Sequence, residues 1–156
     1  MNRDREIVFP PLYEEIETEE QYNKKYEYNY PVLRKCIINI MNDTGPSEII
    51  DRMKLSKIGL YAVNELLEYI LWDFHERGAE KLVRIYDRNS KRFENGYKGM
   101  KVGGINRLLK DYNEHLIQKV VVCNLIHTND IVNEFISIGI KVDDIIIADS
   151  LIYGCK

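Results

Sequence analysis

Apolar positions along the chain follow a helical period in its first half and strand-like runs in its second. Ile58, Ala62, Leu66, Tyr69 and Ile70 recur at helical spacing, and Leu67, Leu71 and Phe74 widen the stripe. The pattern predicts a long amphipathic helix over 57–77, with Ser56 placed to cap its start and Gly78 to end it in a left-handed conformation. Upstream, Val32, Leu33, Cys36, Ile37, Ile38, Ile40 and Met41 fit one broad helix face, or the end of a strand. Asn42-Asp43-Thr44-Gly45-Pro46 is a loop by composition, and Ser47 is placed to cap the helical pattern that begins there.

From Lys81 the pattern changes. Leu82, Val83, Ile85 and Tyr86 read as a strand, Asp87 to Ser90 as a turn, and Arg92-Phe93-Glu94 as a second short strand. Asn95-Gly96 is a hairpin signal, with Tyr97 to Val102 as a third short strand. Gly103-Gly104 then breaks the chain before a helix carrying Ile105, Leu108, Leu109 and Tyr112 on one face, with His115 near its C-terminal, dipole-favoured end. Lys119 to Ile126 is a strand without alternation. A continuous β-branched run implies burial on both faces, hence an interior strand. Thr128 or Asn129 caps the next helix, Gly139 ends it, and Val142 with Ile145–Ile147 gives a strand parallel to the first. The expected fold class is α/β (α+β mixed), a mixed β-sheet flanked by helices.

Composition narrows the setting. The 156 residues suit one domain, with 45% hydrophobic and 30% charged residues. Residues 1–31 differ from the rest: acidic residues and tyrosines (Tyr13, Tyr22, Tyr26, Tyr28, Tyr30) dominate. They read as an N-terminal arm or surface helix laid over a single domain at 32–156, or as a partner-binding segment. A net charge of −3 speaks against a sequence-independent nucleic-acid binder. No apolar stretch is long enough to span a membrane, and the first six residues lack the apolar core of a secretion signal. Three widely spaced cysteines, Cys36, Cys123 and Cys155, without a CxxC pair suggest a reducing, cytoplasmic location.

Candidate chemistry concentrates at one strand end. Asn124, His127, Thr128, Asn129 and Asp130 follow the buried run, where α/β proteins place their sites and where a helix N-terminus attracts oxyanions. Glu94, at the end of the second short strand, is a further candidate. Asp87, Asp143, Asp144 and Asp149 also fall at strand ends or turns. Gly99, Gly103 and Gly104 match neither the dinucleotide fingerprint nor the P-loop. No histidine sits in HxH or HExxH spacing, so no metal and no cofactor is expected. Cys123 and His127 lie roughly 13 Å apart along an extended strand, too far for a nucleophile–base pair.

The order of elements over 57–156 resembles the JAB/MPN domain of the RadC-like type. Leu82 to Arg92 looks like that family's first core strand and its basic turn. Ile105 to Leu116 leading into Val120-Val121-Val122-Cys123 is similar to its central helix and metal-bearing strand. Gly139-Ile140-Lys141-Val142-Asp143-Asp144-Ile145-Ile146-Ile147-Ala148-Asp149 looks like its closing segment. The family's zinc site uses His-x-His followed by Pro-Ser and a downstream Ser and Asp, whereas this chain reads Asn124-Leu125-Ile126-His127-Thr128-Asn129-Asp130. With the histidine pair missing, the resemblance implies a metal-free relative without peptide-bond hydrolysis.

Three functions fit these readings. The first is a non-catalytic protein-interaction or regulatory module, whose partner is another protein. The second is a small-ligand or nucleotide-binding protein, or a hydrolase, with its site at the C-terminal strand ends near His127. The third is a toxin-neutralising or host-defence-inhibiting protein.

Overall fold

The structure of the protein, a computed structural model, describes residues 19–154. Helix α1 (Glu19–Met41) runs across the compositional boundary at 31/32, with Pro31 inside it, and is followed by α2 (Pro46–Arg52). Then come β1 (Ile58–Tyr61), α3 (Glu65–Arg77), β2 (Leu82–Tyr86), β3 (Val102–Gly103) and α4 (Ile105–Asn113). The chain closes with β4 (Lys119–Val122), α5 (Thr128–Ser137), β5 (Ile145–Ile147) and α6 (Ala148–Tyr153). Residues 1–18 of the expected arm, and Cys155, lie outside the described residues.

The fold is α/β, as the sequence pattern predicts: a central sheet is covered by helices on both faces, in the order β3-β2-β1-β4-β5. The sheet is not mixed, because each of its four strand pairings is parallel. Parallel neighbours need crossover helices, and those helices bury both faces, so strands read as apolar runs rather than alternations. Ile58 and Leu60 of β1, Ile85 of β2 and Val121 of β4 face one core with Val32, Cys36 and Ile40 of α1 and Leu67, Ile70 and Phe74 of α3. Tyr61, Tyr86, Val120 and Val122 face the other, with Leu108 of α4 and Ile131 and Phe135 of α5. Full burial of such side chains contributes about 1.5–3 kcal/mol each.

Several expectations need correction, among them Gly78, which ends its helix at φ −177° and not in the left-handed region. The helix expected over 57–77 begins only at Glu65, and Ile58–Tyr61 is the central strand of the sheet. All four of its residues are buried, so the strand carries no polar alternation. Asn64, not Ser56, caps the helix, its Oδ1 accepting from Leu67 N at 2.9 Å. The strand expected at Arg92–Glu94 is instead covered by a 3-10 turn over Ser90–Phe93, and Asn95-Gly96 makes no hairpin. The tight reversal lies three residues on, where Tyr97 and Met100 exchange both backbone hydrogen bonds around Lys98 (φ +50°) and Gly99 (φ +82°). Positive φ at both central residues is the I′ geometry. Finally, Ser47 does not cap α2: Gly45 stands at the cap, Pro46 opens the helix, and Ser47 N donates to the buried Asp73 Oδ2 at 2.8 Å.

The strand order places β1 at the centre with its successors departing in opposite directions, to β2 on one side and β4 on the other. Loops leaving the C-terminal ends of β1 and β4 therefore diverge and open a crevice, the position at which open α/β sheets take their ligands.

Candidate functional site

A cleft of about 510 Å³ occupies that crevice. The β1–α3 loop supplies Ala62, Val63 and Asn64, and the first turns of α3 add Glu65 and Glu68. The segment after β2 supplies Asp87, Arg88, Asn89, Arg92, Phe93 and Tyr97, and the segment after β4 supplies Asn124, His127, Asp130 and Ile131. This volume falls in the range of small-molecule pockets.

Backbone hydrogen bonds fix several of the polar groups in advance. Asp87, directly after β2, receives Val63 N on Oδ2 and Asn89 N on Oδ1, both at 2.8 Å. Asn64 donates from Nδ2 to Cys123 O at 3.1 Å while its Oδ1 caps α3, so one side chain ties β4 to the helix start. Asn124 Oδ1 accepts from Ile126 N at 2.9 Å and His127 N at 2.7 Å, folding the loop that presents His127. Between these anchors Ala62 holds φ +80°, with its N–H donated to Tyr86 O at 2.9 Å. A left-handed alanine costs about 1–2 kcal/mol, and such strain clusters at functional sites.

The rest of the wall is aromatic and charged. Tyr61 meets Phe135 edge-on, ring centroids 4.8 Å apart. Burial pushes the Tyr61 phenol above its ordinary range, an effect that the positive charge of Arg88 partly offsets, and Arg88 itself bridges Glu134 on α5. Phe93 and Tyr97 stack edge-to-face at 5.8 Å. Lys98 Nζ lies 3.1 Å from the Glu68 carboxylate, joining α3 to the turn at 97–100. Burial raises the Tyr97 phenol as well. Partial burial also raises the Glu65 carboxyl, a shift that a hydrogen bond from Tyr69 partly offsets.

Of the residues singled out from sequence, Asn124, His127 and Asp130 line the cleft, while Thr128, Asn129 and Glu94 do not. Thr128 Oγ1 donates instead to Asn124 O at 2.6 Å, Asn129 is exposed on α5, and Glu94 is exposed although its neighbours Arg92 and Phe93 reach the wall. Asp143 and Asp144 precede β5 and so stand at the opposite end of the sheet, where Tyr112 OH donates to Asp144 at 2.6 Å. Sequence reading misses the β1–α3 half of the cleft because that segment has the pattern of a helix interior. Asn64, a good cap residue following an apolar run, is the signal available.

The nucleophile inventory is short. Cys36 and Cys123 are buried in the core on the α1 face, and burial pushes the Cys36 thiol up to about 12 and the Cys123 thiol higher still. Thiols so placed are inert. Among the described residues, no group of three or more His, Cys, Asp or Glu side chains is arranged to hold a metal ion. Among the same residues, no helix is long and apolar enough to cross a membrane.

No family model matches the chain, and no curated protein or solved structure matches it. The JAB/MPN likeness therefore rests on its short motifs alone.

Proposed function

We propose that this chain is a small-ligand-binding α/β domain, with its ligand seated in the cleft at the C-terminal ends of β2, β1 and β4. The observation that carries the reading is the pre-set polar frame around a cavity of ligand size. Asp87 and Asn64 are each held by backbone partners from two different segments, and Asn124 by two amides of its own loop. Groups fixed before binding spare the ligand the cost of ordering them. The lining contains no Ser, Thr, Cys or Lys, so a hydroxyl, thiol or amine nucleophile of those types is not at hand in the cleft. Acid–base work by His127, Asp130 or Glu65 is compatible with the same site. The reading draws nothing from the JAB/MPN likeness.

A thermal-shift screen of nucleosides, nucleotides, sugars, amino acids and divalent metals tests it. A ligand at a hundredfold excess over its Kd stabilises by about 2.7 kcal/mol. For a chain of this size that corresponds to a rise in Tm of roughly 5–10 °C. The expected result is at least one such ligand, with the shift reduced in His127→Ala, an exposed position where the substitution leaves the core untouched. A flat screen would instead favour the protein-interaction module.

A further inference from the structure

The cleft holds one carboxylate, Asp87, that is anchored on both oxygens and keeps unused acceptor capacity, and carboxylates flank the α3 N-terminus beside it. An ionised carboxylate offers about four acceptor positions on two oxygens. Asp87 spends one on each oxygen, Oδ2 on Val63 N and Oδ1 on Asn89 N, both at 2.8 Å. What remains is one acceptor position per oxygen on a half-buried group lining the cleft. Two adjacent acceptors of fixed orientation match two adjacent hydroxyl donors.

The α3 N-terminus would ordinarily attract an anion. Here Asn64 Oδ1 already takes Leu67 N, and Asp87 takes Val63 N in the loop before the helix. No glycine in Tyr61-Ala62-Val63-Asn64-Glu65 lets a phosphate approach the backbone, and Glu65 and Glu68 face the cleft from the helix's first turns. A phosphate placed there would meet two carboxylates. On the flank beside them, the edge-to-face Phe93–Tyr97 pair presents aromatic surface to a ring.

Resting on the binding function proposed above, we infer that the ligand is a non-phosphorylated sugar carrying a vicinal diol and an attached ring, with the diol on Asp87. Nucleosides and aryl glycosides share this chemistry.

The test uses the full chain and titration calorimetry with adenosine, uridine, their 2′,3′-dideoxy counterparts, their 5′-monophosphates and an aryl β-riboside. A ribonucleoside or the riboside is expected to bind, with removal of the two hydroxyls weakening affinity at least tenfold and a 5′-phosphate weakening it as well. Binding by the riboside alone sustains the inference and assigns the source as a glycoside. In Asp87→Asn the diol and dideoxy compounds are expected to bind alike; the comparison within the unaltered protein stands even if that variant folds poorly. Equal affinity for diol and dideoxy forms, or tighter binding of the monophosphate, would overturn the inference. If these compounds fail while another class from the screen binds in the cleft, the diol assignment falls and the binding function stands. Failure of every class overturns both.

Discussion

Replacing Asp111 with alanine is expected to cost about 3–5 kcal/mol of folding stability, among the largest effects any one substitution in this chain should have. Asp111 is on α4 and is fully buried. Its Oδ2 accepts from Tyr86 OH at 2.6 Å and Arg84 Nε at 3.2 Å, and its Oδ1 accepts from Arg107 Nε at 2.9 Å. The carboxylate thus satisfies a buried phenol and a mostly buried guanidinium on β2, and fastens α4 to the sheet. Its removal leaves Arg84 and Tyr86 with desolvated, unpaired donors, which is where the cost of breaking a buried ion pair arises. A domain of this size is stable by about 5–15 kcal/mol, so the loss takes a large share. Urea denaturation measures it directly. A change below about 1 kcal/mol, the range of a surface pair, would mean that the network is solvated in solution.

Gly59→Ala is the second. A Cβ on Gly59 would lie 2.4 Å from Tyr86 Cε2 and 3.1 Å from Cδ2. The Tyr86 ring cannot step aside cheaply, since it is fully buried and its hydroxyl is bound to Asp111. Either the ring moves and strains that hydrogen bond, or β1 and β2 separate at the centre of the sheet. Overpacking of this kind costs about 1–3 kcal/mol, and the upper end is expected here. Because both substitutions act through Tyr86, their effects should not add: in a Tyr86→Ala background Gly59→Ala should cost far less. An unchanged cost in that background would place the strain elsewhere.

Gly59 also explains the sequence's main deception. Read by period, Ile58, Ala62 and Leu66 continue the helix of α3 backwards, and glycine is tolerated in a helix. In the structure it is a strand residue whose missing side chain makes room for a tyrosine on the neighbouring strand. Four residues buried on both faces carry no alternation, so nothing local separates strand from helix. The β4–α5–β5 unit is legible for the opposite reason. Val120-Val121-Val122 and Ile145-Ile146-Ile147 are β-branched runs that few other elements tolerate, separated by a helix with a clear apolar face. The hairpin signal Asn95-Gly96 is displaced because Gly96 (φ +86°) instead closes against Met100 O, and the reversal is formed by Lys98-Gly99. A lysine at positive φ is not a pattern that sequence reading anticipates.

The same contrast divides the candidate site. Asn124, His127 and Asp130 can be picked out because they follow a recognisable strand. Ala62, Val63, Asn64 and Glu65 cannot, since the strand they follow is hidden inside a helical pattern. Asp87 is visible as a carboxylate at a strand end, but its anchoring by Val63 N comes from a loop 24 residues away and only the fold brings them together.

Ligand enters, on the function proposed above, at the ends of β2, β1 and β4. Nitrogen-15 correlation spectra of the full chain, recorded while titrating a hit from the thermal screen, test it most directly. The expected result is a set of shifted amides concentrated in Ala62–Glu65, Asp87–Asn89 and Asn124–Asp130, with α1 and the Asp143–Asp144 end of the sheet unmoved. Shifts confined to those latter regions, with the three cleft segments silent at saturation, would contradict it.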